Sequence, residues 1–113
     1  MTMSPANRSD QTHLLRALRH PLRRRILRRL ADGENASPRE LSAALDQSLS
    51  NVSYHVRVLV DCAAVTLVNA RPARGSVEHF YRSTVDAPWA LQVLGLGESD
   101  RGGAGENSDG AST

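Results

Sequence analysis

Lysine is absent from this chain: all 14 of its basic residues are arginine. Such exclusive use is the mark of codon bias in a GC-rich genome, so arginine richness by itself says little about function. Cysteine occurs once, at Cys62, which excludes an internal disulfide framework and suits a reducing compartment. No apolar run is long enough to cross a bilayer, and Met1 to Asp10 lacks the basic-then-apolar layout of a signal peptide. A cytoplasmic protein with no membrane partner is therefore expected. Also missing are a glycine-rich phosphate loop, paired carboxylates and a nucleophile–base pair, so neither an enzyme nor a cofactor is expected.

What remains is 113 residues, enough for one domain with trimming at both ends. A domain this small buries a modest share of its surface, and a homodimer would help to stabilise it. The net charge of +2 hides a split. Residues 1–94 hold 13 Arg against 8 acids, a balance of +5, whereas 95–113 hold Arg101 against Glu98, Asp100, Glu106 and Asp109, a balance of −3. A basic body suits a polyanionic partner, and the acidic end reads as a solvated tail. The expected layout is a disordered arm over 1–9, a folded domain over 10–96 and a disordered acidic tail over 97–113.

Within the folded part, Leu14, Leu18, Leu22, Ile26 and Leu30 recur every four residues, with Leu15 and Leu27 beside them, as in a helical core stripe. Pro21 is tolerated only in a first turn, so the stripe divides into helices over Asp10 to Arg19 and Pro21 to Ala31, closed by Asp32-Gly33. Ser37-Pro38-Arg39-Glu40 has the form of a capping box opening a helix that buries Leu41, Ala44 and Leu45. After only Asp46 and Gln47, Ser48 can cap another helix. The period then changes. Val65 to Ala70 and Val77 to Arg82 read as strands, and Arg71 to Ser76 carries turn chemistry between them, giving a hairpin with a basic tip. Asp86 can cap a last short helix. The chain is thus mainly α with a small β-hairpin, in the order α-α-α-α-β-β-α.

On a helical wheel of about 100° per residue, Leu49, Val52, Val56, Leu59 and Val60 cluster toward the core. Ser50, Asn51, Tyr54 and Arg57 lie opposite, with Ser53 and His55 on the flanks. Small and polar residues near the amino end suit base edges: Asn pairs with adenine, Arg with guanine, and Ser with either. Free amides at the Ser48 end suit a phosphate. Any amphipathic helix has a polar outer face. What distinguishes this one is its context of two capped helices, a very short turn and an arginine-tipped hairpin.

Three blocks carry a family resemblance. Leu15-Arg16-Ala17-Leu18-Arg19-His20-Pro21-Leu22-Arg23-Arg24-Arg25-Ile26-Leu27 resembles the opening of ArsR-type winged helix-turn-helix regulators. The run from Ser48 to Leu59 is similar to their recognition helix, and Arg74 to Arg82 to their wing and its returning strand. The resemblance spans Thr12 to Arg82. It implies a homodimer that binds double-stranded DNA at a palindromic operator and represses transcription. It assigns DNA contact to Ser50, Asn51, Ser53, Tyr54 and Arg57 on the helix, and to Arg71 and Arg74 on the wing; Ser48 at the helix start and His55 on its flank complete the expected DNA-binding set. Half-sites would lie on the order of 34 Å apart. A winged helix that binds protein instead of DNA is the alternative, since fold alone does not fix function.

The same family includes metal sensors, but the motifs differ here. No Cys stands in Glu40 to Leu45, and no His in Asp86 to Leu96. His13, His20, His55, His79 and Cys62 show no ligand spacing, so no metal site is expected. Arg23, Arg24, Arg25, Arg28 and Arg29 suggest a nucleic-acid patch, but a solvated helix back is the plainer reading. His20, before Pro21, reads as a boundary residue, His79 as partly buried, and Cys62 as a small buried residue. Trp89, Leu91, Val93 and Leu94 are too apolar for a lone short helix. We expect Leu14 and Leu18 to meet Trp89 and Val93 of a second copy across a two-fold axis.

Overall fold

In the computed structural model, residues 5–97 are described, with side chains from Gln11 onward. Five helices and one hairpin follow one another as α1 (Pro5–Ala17), α2 (Pro21–Arg29), α3 (Pro38–Leu45), α4 (Leu49–Asp61), β1 (Val65–Ala73), β2 (Ser76–Ser83) and α5 (Pro88–Val93). Two expectations about the ends are affected. The arm expected to be disordered over 1–9 is helical from Pro5, because proline is welcome in a first turn and α1 simply starts earlier. The tail expected over 97–113 lies, beyond Gly97, outside the described residues.

Local chemistry explains the breaks. His20 is extended (φ −105°, ψ 134°), as a residue before proline prefers, and its Nδ1 accepts the Leu22 amide at 3.0 Å. It caps α2, with Pro21 in the first turn. Beyond α2, Asp32 and Gly33 both take positive φ (59° and 80°) and reverse the chain. Ser37 and Glu40 form the reciprocal capping box at α3: Ser37 Oγ accepts from the Glu40 amide at 3.1 Å, and Glu40 Oε1 from the Ser37 amide at 3.2 Å. Helix α5 departs from expectation. Its cap position is Ala87, not Asp86, and no side chain caps it. Pro88 in the first turn starts it one residue later.

The core is one cluster drawn from α1 to α5 and the start of β1, with Ile26, Leu27, Leu30, Leu41, Val52 and Leu59 fully buried. Leu18, Leu22, Ile26 and Leu30 of the expected stripe are in it, while Leu14 is half-buried at its edge. Ala44, expected inside, is exposed on α3.

The hairpin is longer than the sequence suggests. Arg71 and Pro72 pair with Glu78 and Val77 instead of turning, and the reversal narrows to Arg74-Gly75. Proline is acceptable there because a two-stranded ribbon has an edge on each strand. A bulge at Val68 breaks the register between Leu67 and Asn69. At its base the ribbon is tied back to the helices: Ala36 and Tyr81 exchange backbone hydrogen bonds of 3.1 and 2.9 Å.

Candidate nucleic-acid interface

Between α3 and α4 the chain turns within Asp46, Gln47 and Ser48. Asp46 takes the left-handed conformation (φ 56°), and the Gln47 amide bonds to the Ser42 carbonyl at 3.1 Å. Ser42 Oγ donates to the Gln47 carbonyl, which holds the turn from inside. Ser48 then caps α4, its hydroxyl accepting the Asn51 amide at 3.1 Å. The Asn51 side-chain amide donates to Gln47 Oε1 at 3.4 Å, so Gln47 orients the residue best suited to read adenine. Composition gave no signal for that role of Gln47.

Along α4, Ser48, Ser50, Asn51, Tyr54 and Arg57 are exposed, and Ser53 is half-buried. These residues occupy one outward surface, as expected. His55 does not. It is 5% exposed, with its ring centroid 4.3 Å from that of His20 and its Nδ1 bonded to Arg23 at 3.2 Å. A side chain enclosed by α2 has no path to a base edge, so His55 leaves the DNA-facing set. Burial first, then the charges of His20 and Arg23, push its pKa below the ordinary histidine value of 6.5. Tyr54 meets the His55 ring edge-on at 5.1 Å.

The buried arc of α4 is therefore rotated from the one the wheel suggests. Val58 joins Val52, Val56 and Leu59 inside, while Leu49 and Val60 stay 42% and 43% exposed. The cause is packing: α4 lies against α2 and α3 on one flank and β1 on another. The core consequently turns toward His55 and Val58.

At the wing tip, Arg74 (φ 51°) and Gly75 (φ 83°) make a two-residue turn with two left-handed residues, the geometry that matches strand twist. Ser76 Oγ donates to the Ala73 carbonyl at 3.0 Å and closes it. Arg74 is exposed at the extremity. Arg71 is exposed too, but its guanidinium lies 4.5 Å over the Phe80 ring, nearer the ribbon's base.

The arginine cluster on α2 is not only a solvated back, because three of its members are engaged with backbone carbonyls. Arg23 donates to the carbonyls of Ala17 and Arg16, and Arg24 to that of Leu18 at 2.7 Å, all at the end of α1. Arg25 donates to the Leu45 carbonyl, the end of α3, at 3.2 Å. These guanidiniums satisfy orphan helix carbonyls. Arg28 and Arg29 are exposed.

Of the four residues expected at a two-fold contact, Trp89 and Val93 are 37% and 51% exposed and Leu14 is half-buried. Leu18 is buried in the chain's own core and has no surface to offer a second copy. Leu15, on α1, is 54% exposed. Among the described residues, no helix is long and apolar enough to cross a membrane, and no three metal-ligating side chains converge.

Two helices joined by a three-residue turn, followed by a ribbon with an arginine tip, form a winged helix-turn-helix, and the comparisons agree. Residues 18–68 match the helix-turn-helix domain family. The antimony-specific transcriptional repressor AntR superposes with a TM-score of 0.58 and 25% identity, over 85% of this chain and 80% of that one. NolR from Sinorhizobium fredii gives 0.57 and 23%, over 84% and 90%. An ArsR family transcriptional regulator gives 0.54 and 20%, over 96% and 100%. The fold is that of a winged helix-turn-helix, shared with these regulators. No curated protein sequence matches the chain. The helix-turn-helix match and the likeness to AntR support a DNA-binding transcription regulator. In this one α4 stands in the position of the recognition helix and β1–β2 in that of the wing.

Proposed function

We propose that this protein is an ArsR-type, sequence-specific double-stranded DNA-binding regulator that represses transcription as a homodimer on a palindromic operator. One observation carries the reading: Ser50, Asn51, Tyr54 and Arg57 share the outward face of a capped helix, and Arg74 stands at the tip of the adjoining hairpin. Helix α4 enters the major groove amino end first, where Ser50, Asn51, Ser53 and Tyr54 meet base edges. Arg57, Arg71 and Arg74 neutralise phosphates on either side, and the Ser48 hydroxyl donates a hydrogen bond to one at the helix start. The repressor role takes support from AntR, which is a transcriptional repressor.

The dimer takes support from exposed apolar side chains away from α4: Leu15 on α1, and Trp89 and Val93 on α5. Matching them across a two-fold axis would remove them from water and set two α4 helices on successive turns of one duplex face. Selection of bound duplexes from a random pool, with the full chain at moderate salt, tests the reading. Inverted half-sites about one helical turn apart are the expected result. A single unrepeated half-site would overturn the dimer. No enrichment over the input pool would overturn the DNA reading and favour a protein-binding winged helix.

A further inference from the structure

Between α4 and the returning strand of the wing lies an open cleft of about 360 Å³, lined also by Pro38 and Arg39 at the start of α3. Its lining is not what phosphate contact alone requires. Leu49 and Val60 of α4 and Val77 of β2 all line it and all remain substantially exposed. The first two are the positions that α4's rotation takes out of the core. Arg39 and Arg57 line the same cleft and are exposed. Among the described residues, neither guanidinium has a hydrogen-bond or ion-pair partner. The one acid in the lining, Glu78, already accepts the hydroxyl of the buried Ser37. The cleft therefore offers an apolar wall beside two uncommitted positive charges, at a volume within the range of small-molecule sites.

We propose that this cleft is an effector site for a small organic anion with an apolar body. Its carboxylate is drawn to Arg39 and Arg57, and its hydrocarbon part covers Leu49, Val60 and Val77. The proposal rests on α4 being the DNA-reading helix, because Ser53 and Arg57 line the cleft and belong to the DNA-facing set. An anion seated there takes the guanidinium that an operator phosphate would use, so ligand and DNA exclude one another. A compound of this class acts as an inducer that releases the operator.

The test uses 2-naphthoate as the probe, titrated into the full chain and followed by backbone amide NMR, with the uncharged 2-naphthamide beside it. Saturable shifts centred on Leu49, Ser53, Val60 and Val77 are expected, with the amide binding about tenfold more weakly or worse. Arg39→Gln, a change at an exposed position, should weaken naphthoate by a similar factor, and Val77→Ser should weaken both compounds. In a second arm, naphthoate should release selected duplex from the wild-type chain. Shifts centred instead on Leu15, Trp89 and Val93, or none at millimolar naphthoate, would overturn the site. Equal binding of the amide would overturn the anion preference, and duplex retained by naphthoate-saturated protein would overturn the inducer role. If the chain binds no DNA at all, the proposed function fails, while the NMR arm still decides whether the cleft binds the anion.

Discussion

The Arg23 guanidinium donates to Nδ1 of His55 across 3.2 Å, joining α2 to the middle of α4. Arginine can only donate, so this bond fixes His55 as the neutral tautomer with its proton on Nε2. A second proton would break the bond and add a cation beside His20 and Arg23.

The first prediction concerns pH. The folded-state pKa of His55 lies below 6.5, through burial first and then the charges of His20 and Arg23. The unfolded chain therefore binds the proton more readily. The stability contributed by neutral His55 is fully present above the ordinary value and is lost as pH falls from there through the folded-state value. Urea midpoints between pH 8 and pH 5 should fall more steeply for the wild type than for His55→Gln. Parallel slopes would refute the coupling.

A second prediction separates the arginines of α2 from those of the wing. Arg24→Ala and Arg25→Ala each remove a bond to a helix-terminal carbonyl. Each should cost about 0.5–1.5 kcal/mol in denaturant unfolding. The salt dependence of DNA binding should stay as it was, because neither residue belongs to the proposed phosphate contacts.

Ser37 should be the most sensitive polar position. It is fully buried, caps α3 and donates to Glu78 on β2. Ser37→Ala removes the cap and strands the Glu78 carboxylate, at a cost of about 1–3 kcal/mol. In a double-mutant cycle with Glu78→Gln, a coupling energy near zero would show that the cross-link contributes nothing to stability.

At the interface, Arg74→Ala should weaken binding to every duplex and lower the salt slope by about 1. Asn51→Ala should instead relax preference at one base pair of each half-site, by about 1–3 kcal/mol. Competition binding at several salt concentrations distinguishes the two patterns. Uniform loss from Asn51→Ala would remove it from the base-reading set.

Assembly gives the last prediction. Leu15→Asp should yield a monomer by light scattering with its fold intact, because Leu15 projects from α1 into solvent. Leu18→Asp should unfold the chain, because Leu18 lies in its own core. A dimer unaffected by Leu15→Asp would move the contact elsewhere.

The element order was legible in the residues because its signals are local. Pro21, the Ser37–Glu40 box and Ser48 each act within one helical turn, so spacing alone exposes them. What was not legible depends on partners distant in sequence. His55 and Val58 turn inward because α2 lies beside α4, and nothing within α4 reveals that neighbour. Arg23, Arg24 and Arg25 find carbonyls at the ends of two other helices, which an arginine run does not advertise. Leu15 and Leu18 stand three residues apart, and only the packed core decides which one faces outward. Arg71 and Pro72 carry turn chemistry, yet cross-strand pairing with Glu78 and Val77 holds them in the ribbon.

The paired bonds between Ala36 and Tyr81, with the Ser37 hydroxyl on Glu78, clamp the start of α3 to β2, the strand that returns from the wing tip. Helix α4 and the wing thus descend from one braced frame. In the proposed complex each protomer would measure a fixed length of DNA, and tolerance for insertions in an operator would lie in the spacer between half-sites and not within either one.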